Sequence, residues 1–280
     1  MRTLITGAQG QLGKDVVLHC TEAGDEVLGL SRAELDITDA VAVREAVHIA
    51  APDTIINCAA WTAVDDCEAD PDRANLVNAN GVGFLVDAAT AVGAHLVQVS
   101  TDYVFDGTKI GAYSESDQTN PQSAYGLSKL AGESAAGPDA SVVRTSWVCS
   151  AHGGNMVETI LRLAGNHPEL SFVSDQRGNP TFTADLAPAL RALAVDRHAG
   201  TIHITNSETV SWFEFAQAVL EATGQDPTRV SPIATSELMP PRPAPRPANS
   251  ALSNDLFASL GYQPLRDFRE ALAEIAVAYS

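Results

Sequence analysis

The sequence predicts an α/β protein, a doubly wound parallel sheet joined to a smaller C-terminal lobe. Three observations point to it. Strand-like apolar runs alternate with helical patterns through the first half. A glycine triplet, Gly7, Gly10 and Gly13, separates the first strand pattern from the first helix pattern. The second half loses the alternation, and seven of the chain's fifteen prolines fall between Asp226 and Asn249.

Arg2 to Thr6 is a short β-prone run, and Gln11 to Glu22 places Leu12, Val16, Val17 and Cys20 on one helical face. A second strand follows at Glu26–Leu30, a helix at Asp39–Ile49 and a third strand at Thr54–Asn57. Asp72–Val92 reads as one long helix and Leu96–Ser100 as a fourth strand. Ser123–Ala135 is helical, and Ser141–Arg144 is a fifth strand. Strands alternating with helices of this length make βαβ units, whose right-handed crossovers build a parallel sheet with both faces covered. Beyond it, Asn155–Ala164, Thr183–Val195 and Trp212–Thr223 read as helices and Thr201–Ile204 as a strand. Ser211 and Glu214 form a capping-box pattern at the start of the third of these helices. The run P-P-R-P-A-P-R-P fits neither a regular helix nor a central strand. It is either a linker or an ordered loop that presents Arg242 and Arg246 to a ligand. Helix patterns near Asp255 and from Asp267 to Tyr279 close the chain.

The chain has 280 residues, 17 basic and 35 acidic side chains, and a formal net charge of −18. That balance lacks the basic footprint of a nucleic-acid or anionic-membrane partner. No apolar run reaches the roughly 18–20 residues that span a bilayer. The opening M-R-T-L-I-T-G-A-Q-G enters a strand directly, so no secretory leader is expected. The scattered cysteines Cys20, Cys58, Cys67 and Cys149 read as reduced thiols in a cytoplasmic protein, not as a disulfide frame or a zinc site.

The glycine triplet occupies the first βα turn, where a dinucleotide pyrophosphate meets the free N–H groups of a helix N-terminus. The fold expected is therefore of Rossmann type. An acidic residue often ends the second strand of an NAD site. Here Ser31 and Arg32 stand there instead. Arg32 can accept a 2′-phosphate and stack on adenine, which favours NADPH over NADH. Asp36 and Ile37 are placed to meet the adenine, and the small residues after the third strand let a cofactor lie across the strand ends.

Tyr125 and Lys129 form Y-x-x-x-K and share a helical face. With five tyrosines and three lysines in the chain, chance supplies about 0.05 such pairs. A carbonyl reduction needs a proton donor, and a nearby ammonium lowers a phenol's pKa towards the working pH. Thr101 ends the fourth strand, where its hydroxyl reaches the ligand crevice and the substrate oxygen. No metal-ligand cluster is read from the sequence.

Together these residues resemble the extended short-chain dehydrogenase/reductase family. The blocks S-T-D-Y-V-F-D-G, S-A-Y-G-L-S-K-L-A-G-E and R-T-S-W-V are similar to its dTDP-4-dehydrorhamnose reductase group. So are A-A-W-T-A-V-D-D-C-E, D-Q-R-G-N-P-T and R-P-A-N-S-A-L. The resemblance runs from Gly7 to Leu252. It separates the chain from the pathway's dehydratases, which carry Asp-Glu after the threonine, because Asp102 is followed here by Tyr103.

The resemblance implies hydride transfer from NADPH or NADH to C4 of dTDP-4-dehydro-L-rhamnose. Tyr125 would be the proton donor, Thr101 would orient the carbonyl, and Lys129 would hold the nicotinamide ribose. It implies pyrophosphate contacts from Gly10, Gln11 and Leu12, and contacts from Ala59, Ala60 and Trp61 to the nicotinamide half. Asp102, Trp147, Asn155 and Arg246 are implied on the substrate side, Arg246 as a fork on the diphosphate. It implies a cofactor domain of residues 1–150 plus about 178–205, and a nucleotide-sugar lobe of about 151–177 and 206–280. Better-known members can use a magnesium-bridged dimer built on acidic residues. Asp15 matches one such position and no acid is found at the others, which leaves monomer or homodimer open and magnesium unsupported. Another nucleotide-sugar reductase, an epimerase and a non-catalytic regulatory subunit of the same fold also remain open.

Overall fold

The computed structural model describes residues 1–277. In chain order the first half contains β1 (Arg2–Thr6), α1 (Gln11–Glu22), β2 (Glu26–Leu30), α2 (Ala40–Ala50), β3 (Thr54–Asn57) and α3 (Val64–Ala69). Next come α4 (Pro71–Asn75), a π turn at Leu76–Asn80, α5 (Gly81–Val92), β4 (His95–Thr101), α6 (Ala124–Ala136) and β5 (Ser141–Thr145). The second half holds β6 (Val148–Cys149), α7 (Met156–Asn166), β7 (Leu170–Val173), β8 (Arg177–Gly178), β9 (Thr181–Phe182) and α8 (Thr183–Asp196). It ends with β10 (Gly200–His203), β11 (Val210–Ser211), α9 (Trp212–Ala222), β12 (Val230–Ile233), α10 (Asp255–Ser259) and α11 (Phe268–Ala276). Tyr279, expected in the last helix, lies outside the described residues.

Six strands form one parallel sheet in the order β10-β5-β4-β3-β1-β2. Its interior strands read as continuous apolar runs because both faces are buried. Neighbouring residues point to opposite sides. Ile5, Ile56, Val97 and Val143 meet α1 and α8 through Val16, Leu186 and Leu190. Leu4, Ile55, Leu96 and Val142 meet α2 and α5 through Val43, Val47 and Leu85. The strand order reverses at β1, so a crevice opens at the carboxyl ends of β1 and β3, the usual ligand position in such sheets.

The C-terminal lobe has its own core of Val157, Ile160, Phe182, Phe215, Val219, Phe268 and Leu272. One segment expected in that lobe packs elsewhere. Phe257 of α10, with Leu256, Tyr262 and Leu265, joins the sheet-side core beside Leu190 and Ile202.

Capping side chains set the helix starts. Asp39 accepts from the amides of Val41 and Ala42, and Ser123 accepts from Gly126. Ser211 and Glu214 complete the capping box of α9. The long helix expected over Asp72–Val92 is instead broken by the π turn. That turn directs Asn78 into a buried bridge. Its Nδ2 donates to the Trp61 carbonyl and to Ser128 Oγ, both at 3.0 Å, and its Oδ1 accepts from the Trp61 amide at 2.8 Å. The proline-rich run is an ordered strap, not a loose linker. Ala244 in it is 1% exposed, and its amide donates to Asp65 at 3.1 Å.

Candidate active site

Two cavities meet at the carboxyl ends of β1, β3 and β4. The larger, about 420 Å³, brings Gly10, Gln11 and Leu12 together with Ala59, Ala60, Thr101, Asp102, Tyr125, Lys129, Trp147 and Trp212. The smaller, about 250 Å³, is lined by Gly7, Gly10, Arg32, Asp36, Ile37, Ala59, Ala60, Trp61 and Arg73, among others. Gly10, Cys58, Ala59 and Ala60 line both and form the waist between them.

That shape fits a dinucleotide, with one nucleoside on each side of a narrow pyrophosphate seat. Backbone geometry makes the seat. Gly7 sits at φ 65°, and a Cβ there would lie 2.7 Å from the Ala59 amide nitrogen. A Cβ on Gly13 would lie 2.2 Å from the Gly7 carbonyl oxygen, so Gly13 serves helix-to-turn packing and does not line either cavity. Gly10 caps α1 without a side chain, which leaves the helix N-terminus open to an anion.

A polar ladder holds the waist. Thr6 Oγ1 donates to Asn57 Oδ1 at 2.5 Å, and Asn57 Nδ2 donates to Gln98 Oε1 at 2.6 Å. Asn57 Oδ1 also accepts from the Ala59 amide at 3.1 Å. Burial pushes the Cys58 thiol up to about 12, so it stays protonated and is no nucleophile at neutral pH.

In the larger cavity, Tyr125 is 8% exposed and its ring meets Tyr103 edge-on at 5.4 Å. Burial pushes its phenol well above the ordinary tyrosine range, and the nearby Thr101 hydroxyl pulls it back only in part. Lys129 is buried and donates to the Val99 carbonyl at 2.7 Å. Burial pulls its ammonium down to about 8 against Glu133, which pushes it up. The expectation that Lys129 lowers the Tyr125 pKa is therefore corrected, since burial dominates both groups. Thr101 Oγ1 donates to Asp102 at 2.9 Å, and burial pushes the Asp102 carboxyl up to about 6.

Trp147 has φ 46° and stacks on Trp212 at 3.6 Å and 6°. Trp212 had no functional signal in the sequence; its capping-box context reads only as a helix start. Gly10, Ala59 and Ala60 line both cavities, Gln11 and Leu12 only the larger, and Gly7, Arg32, Asp36, Ile37 and Trp61 only the smaller. Trp61, expected beside the nicotinamide half, therefore stands instead on the side that carries Arg32. Ser31 does not line either. Its amide donates to Glu34 at 2.8 Å. One Asp36 oxygen accepts from Thr38 in a local turn, and Arg32 lies 3.7 Å from the other.

Two residues expected near the substrate are occupied elsewhere. Asn155 caps α7, accepts from Val157 and Glu158, and donates to the Ser150 and Gly153 carbonyls. Arg246 forms a bidentate pair with Asp65 at 2.7 and 2.8 Å, while Arg242 approaches the same carboxylate at 3.7 Å. Asp15 is buried between Thr183 and His152, so it presents no surface carboxylate for a bridging cation. Among the described residues, no helix is long and apolar enough to cross a membrane.

The family model for the RmlD substrate binding domain matches residues 1–280. The chain belongs to this family. A dTDP-4-dehydrorhamnose reductase of Mycobacterium tuberculosis is 45% identical over 97% of this chain and 91% of its own length. A solved dTDP-4-dehydrorhamnose reductase from Clostridium acetobutylicum is 41% identical with a TM-score of 0.95, covering 100% of this chain and 99% of its own. One from Bacillus anthracis, solved in complex with NADP, is 35% identical with a TM-score of 0.94 and covers 99% of both chains. The family's fold and the glycine cradle thus coincide here with the two-part cavity across the strand ends.

Proposed function

We propose that this chain is an NADPH-dependent oxidoreductase that reduces the 4-keto group of dTDP-4-dehydro-L-rhamnose to give dTDP-L-rhamnose. The observation that carries this is one cavity in which Thr101, Tyr125 and Lys129 face the glycine turn. Relatives matched over nearly their whole length carry the reductase name.

The bound cofactor supplies a hydride from its reduced nicotinamide. Tyr125, which burial keeps protonated, donates its phenolic proton to the sugar oxygen as negative charge develops there. Thr101 orients that oxygen. Lys129 holds the nicotinamide ribose. The stacked Trp147 and Trp212 offer an apolar wall to the deoxysugar. Gly10, Gln11 and Leu12 hold the pyrophosphate, while Arg32 and Arg73 beside the smaller cavity favour a 2′-phosphate.

The split into a cofactor domain and a C-terminal sugar-binding lobe follows from the same reading. So does a cytoplasmic site of action, where such cofactors are held reduced and where four free cysteines are at home. The net charge of −18 disfavours a nucleic-acid partner and leaves an anionic sugar nucleotide to be held by local cations and backbone N–H groups.

Absorbance loss at the reduced-nicotinamide band tests the proposal, with the keto sugar made in situ. Oxidation that requires both sugar and protein is expected. Cofactor binding without oxidation would move the assignment to another sugar or to a regulatory role.

A further inference from the structure

Behind the cavity lies a buried charge cluster with no place in the reaction described above. Glu133 follows Lys129 by one helical turn on α6, so the two share a face. Its carboxylate accepts from Arg144 Nε at 2.9 Å and from an Arg144 terminal nitrogen at 2.7 Å. Both side chains are 7% exposed. Glu133 also accepts from Ser100 Oγ at 2.5 Å, and Ser100 directly precedes Thr101 in β4. The residue before Ser100, Val99, supplies the carbonyl to which Lys129 donates.

One carboxylate is thus tied to the strand end that carries Thr101 and to the helix that carries Tyr125 and Lys129. A buried ion pair is weak evidence for stability, because desolvation offsets most of its attraction. This one has a second use within reach. The Lys129 ammonium is buried, and such a group tends to lose its proton unless a negative charge faces it. The ionisable groups that act on it are Glu133 on its own helix and the Cys58 thiol after β3. Cys58 is protonated and carries no charge at neutral pH, so among the described residues Glu133 is the anion that acts on Lys129 from its own helix, while Asp102 lines the same cavity from the end of β4.

We propose that Glu133 is a positioning residue that keeps the Lys129 ammonium charged and aimed into the cavity, with Ser100 and Arg144 fixing its carboxylate. This rests on the reductase reading for its importance to turnover, but not for its direct test. On the far side of Arg144, the neutral His203 imidazole accepts a weak contact at 3.5 Å and adds no competing charge.

The chain has three lysines, Lys14, Lys109 and Lys129, so their Cε resonances can be followed individually by carbon NMR on the whole protein. Lys129 is assigned by its loss in Lys129→Arg. The expected wild-type titration is near 8. Glu133→Gln should move it down by about one pH unit or more. Because that variant leaves Arg144 unpaired and is exposed to misfolding, the double variant Glu133→Gln/Arg144→Met provides the control. It removes both charges and should show the same downward direction. The pH profile of kcat should shift with the NMR titration, and Glu133→Asp should restore part of it.

A Lys129 titration unchanged in the folded double variant overturns the proposal, whatever the activity. A shifted titration in protein that oxidises no cofactor would support Glu133's role and count against the reductase reading alone.

Discussion

Replacing Tyr125 with Phe removes one oxygen and leaves the ring in place. The ring is 8% exposed and packs against Tyr103 at 5.4 Å, contacts that phenylalanine keeps. The polar influence of Thr101 on the phenol is lost as well, at a cost of no more than the net worth of one hydrogen bond, about 0.5–1.5 kcal/mol. For a chain of this size that is a fall of a few degrees in Tm, roughly 2–4 °C per kcal/mol. The catalytic effect is much larger. A positioned general acid contributes about 10²–10⁴-fold, or about 2.7–5.5 kcal/mol at 1.36 kcal/mol per decade. Turnover should therefore fall at least a hundredfold while cofactor affinity changes little. The assay is single-turnover cofactor oxidation, with NADPH binding measured in parallel by fluorescence. A variant with kcat within fivefold of wild type and a native Tm would refute the role given to the phenol.

Further expectations follow from the same contacts. Arg32→Ala should raise the KM for NADPH about 10–100-fold, since a charge-assisted bond is worth about 1.5–3 kcal/mol, and should leave NADH nearly unaffected; equal effects on both cofactors would contradict the 2′-phosphate role. Asn78→Ala strands the Trp61 backbone and Ser128, three hydrogen bonds in all. It should lower stability by about 2–4 kcal/mol, read by chemical denaturation, and a loss below about 0.5 kcal/mol would show that the π turn is not held by this bridge. His203 is pulled down from 6.5 to about 3, first by burial and then by Arg144. A depressed histidine is neutral in the folded state, so its stability contribution is full above pH 6.5 and is lost as pH falls from 6.5 towards 3. His203→Gln should flatten that part of the stability–pH curve; an unchanged slope would place the acid sensitivity elsewhere.

Much of the fold was legible because the sheet is parallel and buried on both faces. Apolar runs such as Leu4-Ile5 and Ile55-Ile56 have few alternatives between helices. What stayed hidden has local causes. The two-residue strands β6, β8, β9 and β11 are too short to show a period. Pro232 disguised β12, which pairs with β7 as one strand of a two-stranded sheet, where a missing amide is tolerated. The π turn leaves no periodic mark, so Asn78 looked like a helix residue.

In the site, the motif residues on strand ends and on α6 come together because regular elements carry them. Asn155 and Arg246 sit on irregular segments, and local partners decided their places. Asn155 serves the N-terminus of α7, and Arg246 turns to Asp65. Trp212 and Glu133 show the opposite gap. Trp212 sits in an ordinary helical pattern, and only its stacking on Trp147 marks it out. Glu133 closes the S-A-Y-G-L-S-K-L-A-G-E block but had no role there, and only its contacts with Ser100 and Arg144 supply one.

The central claim is net hydride transfer to the sugar's C4, and isotope labelling tests it most directly. The protein would be incubated with C4-deuterated NADPH and dTDP-4-dehydro-L-rhamnose, and the sugar product examined by mass spectrometry and proton NMR. One deuterium at C4 of dTDP-L-rhamnose, with one cofactor oxidised per sugar, is the predicted result. A product without deuterium and with no net cofactor oxidation would contradict the reductase and point to an epimerase or a non-catalytic relative.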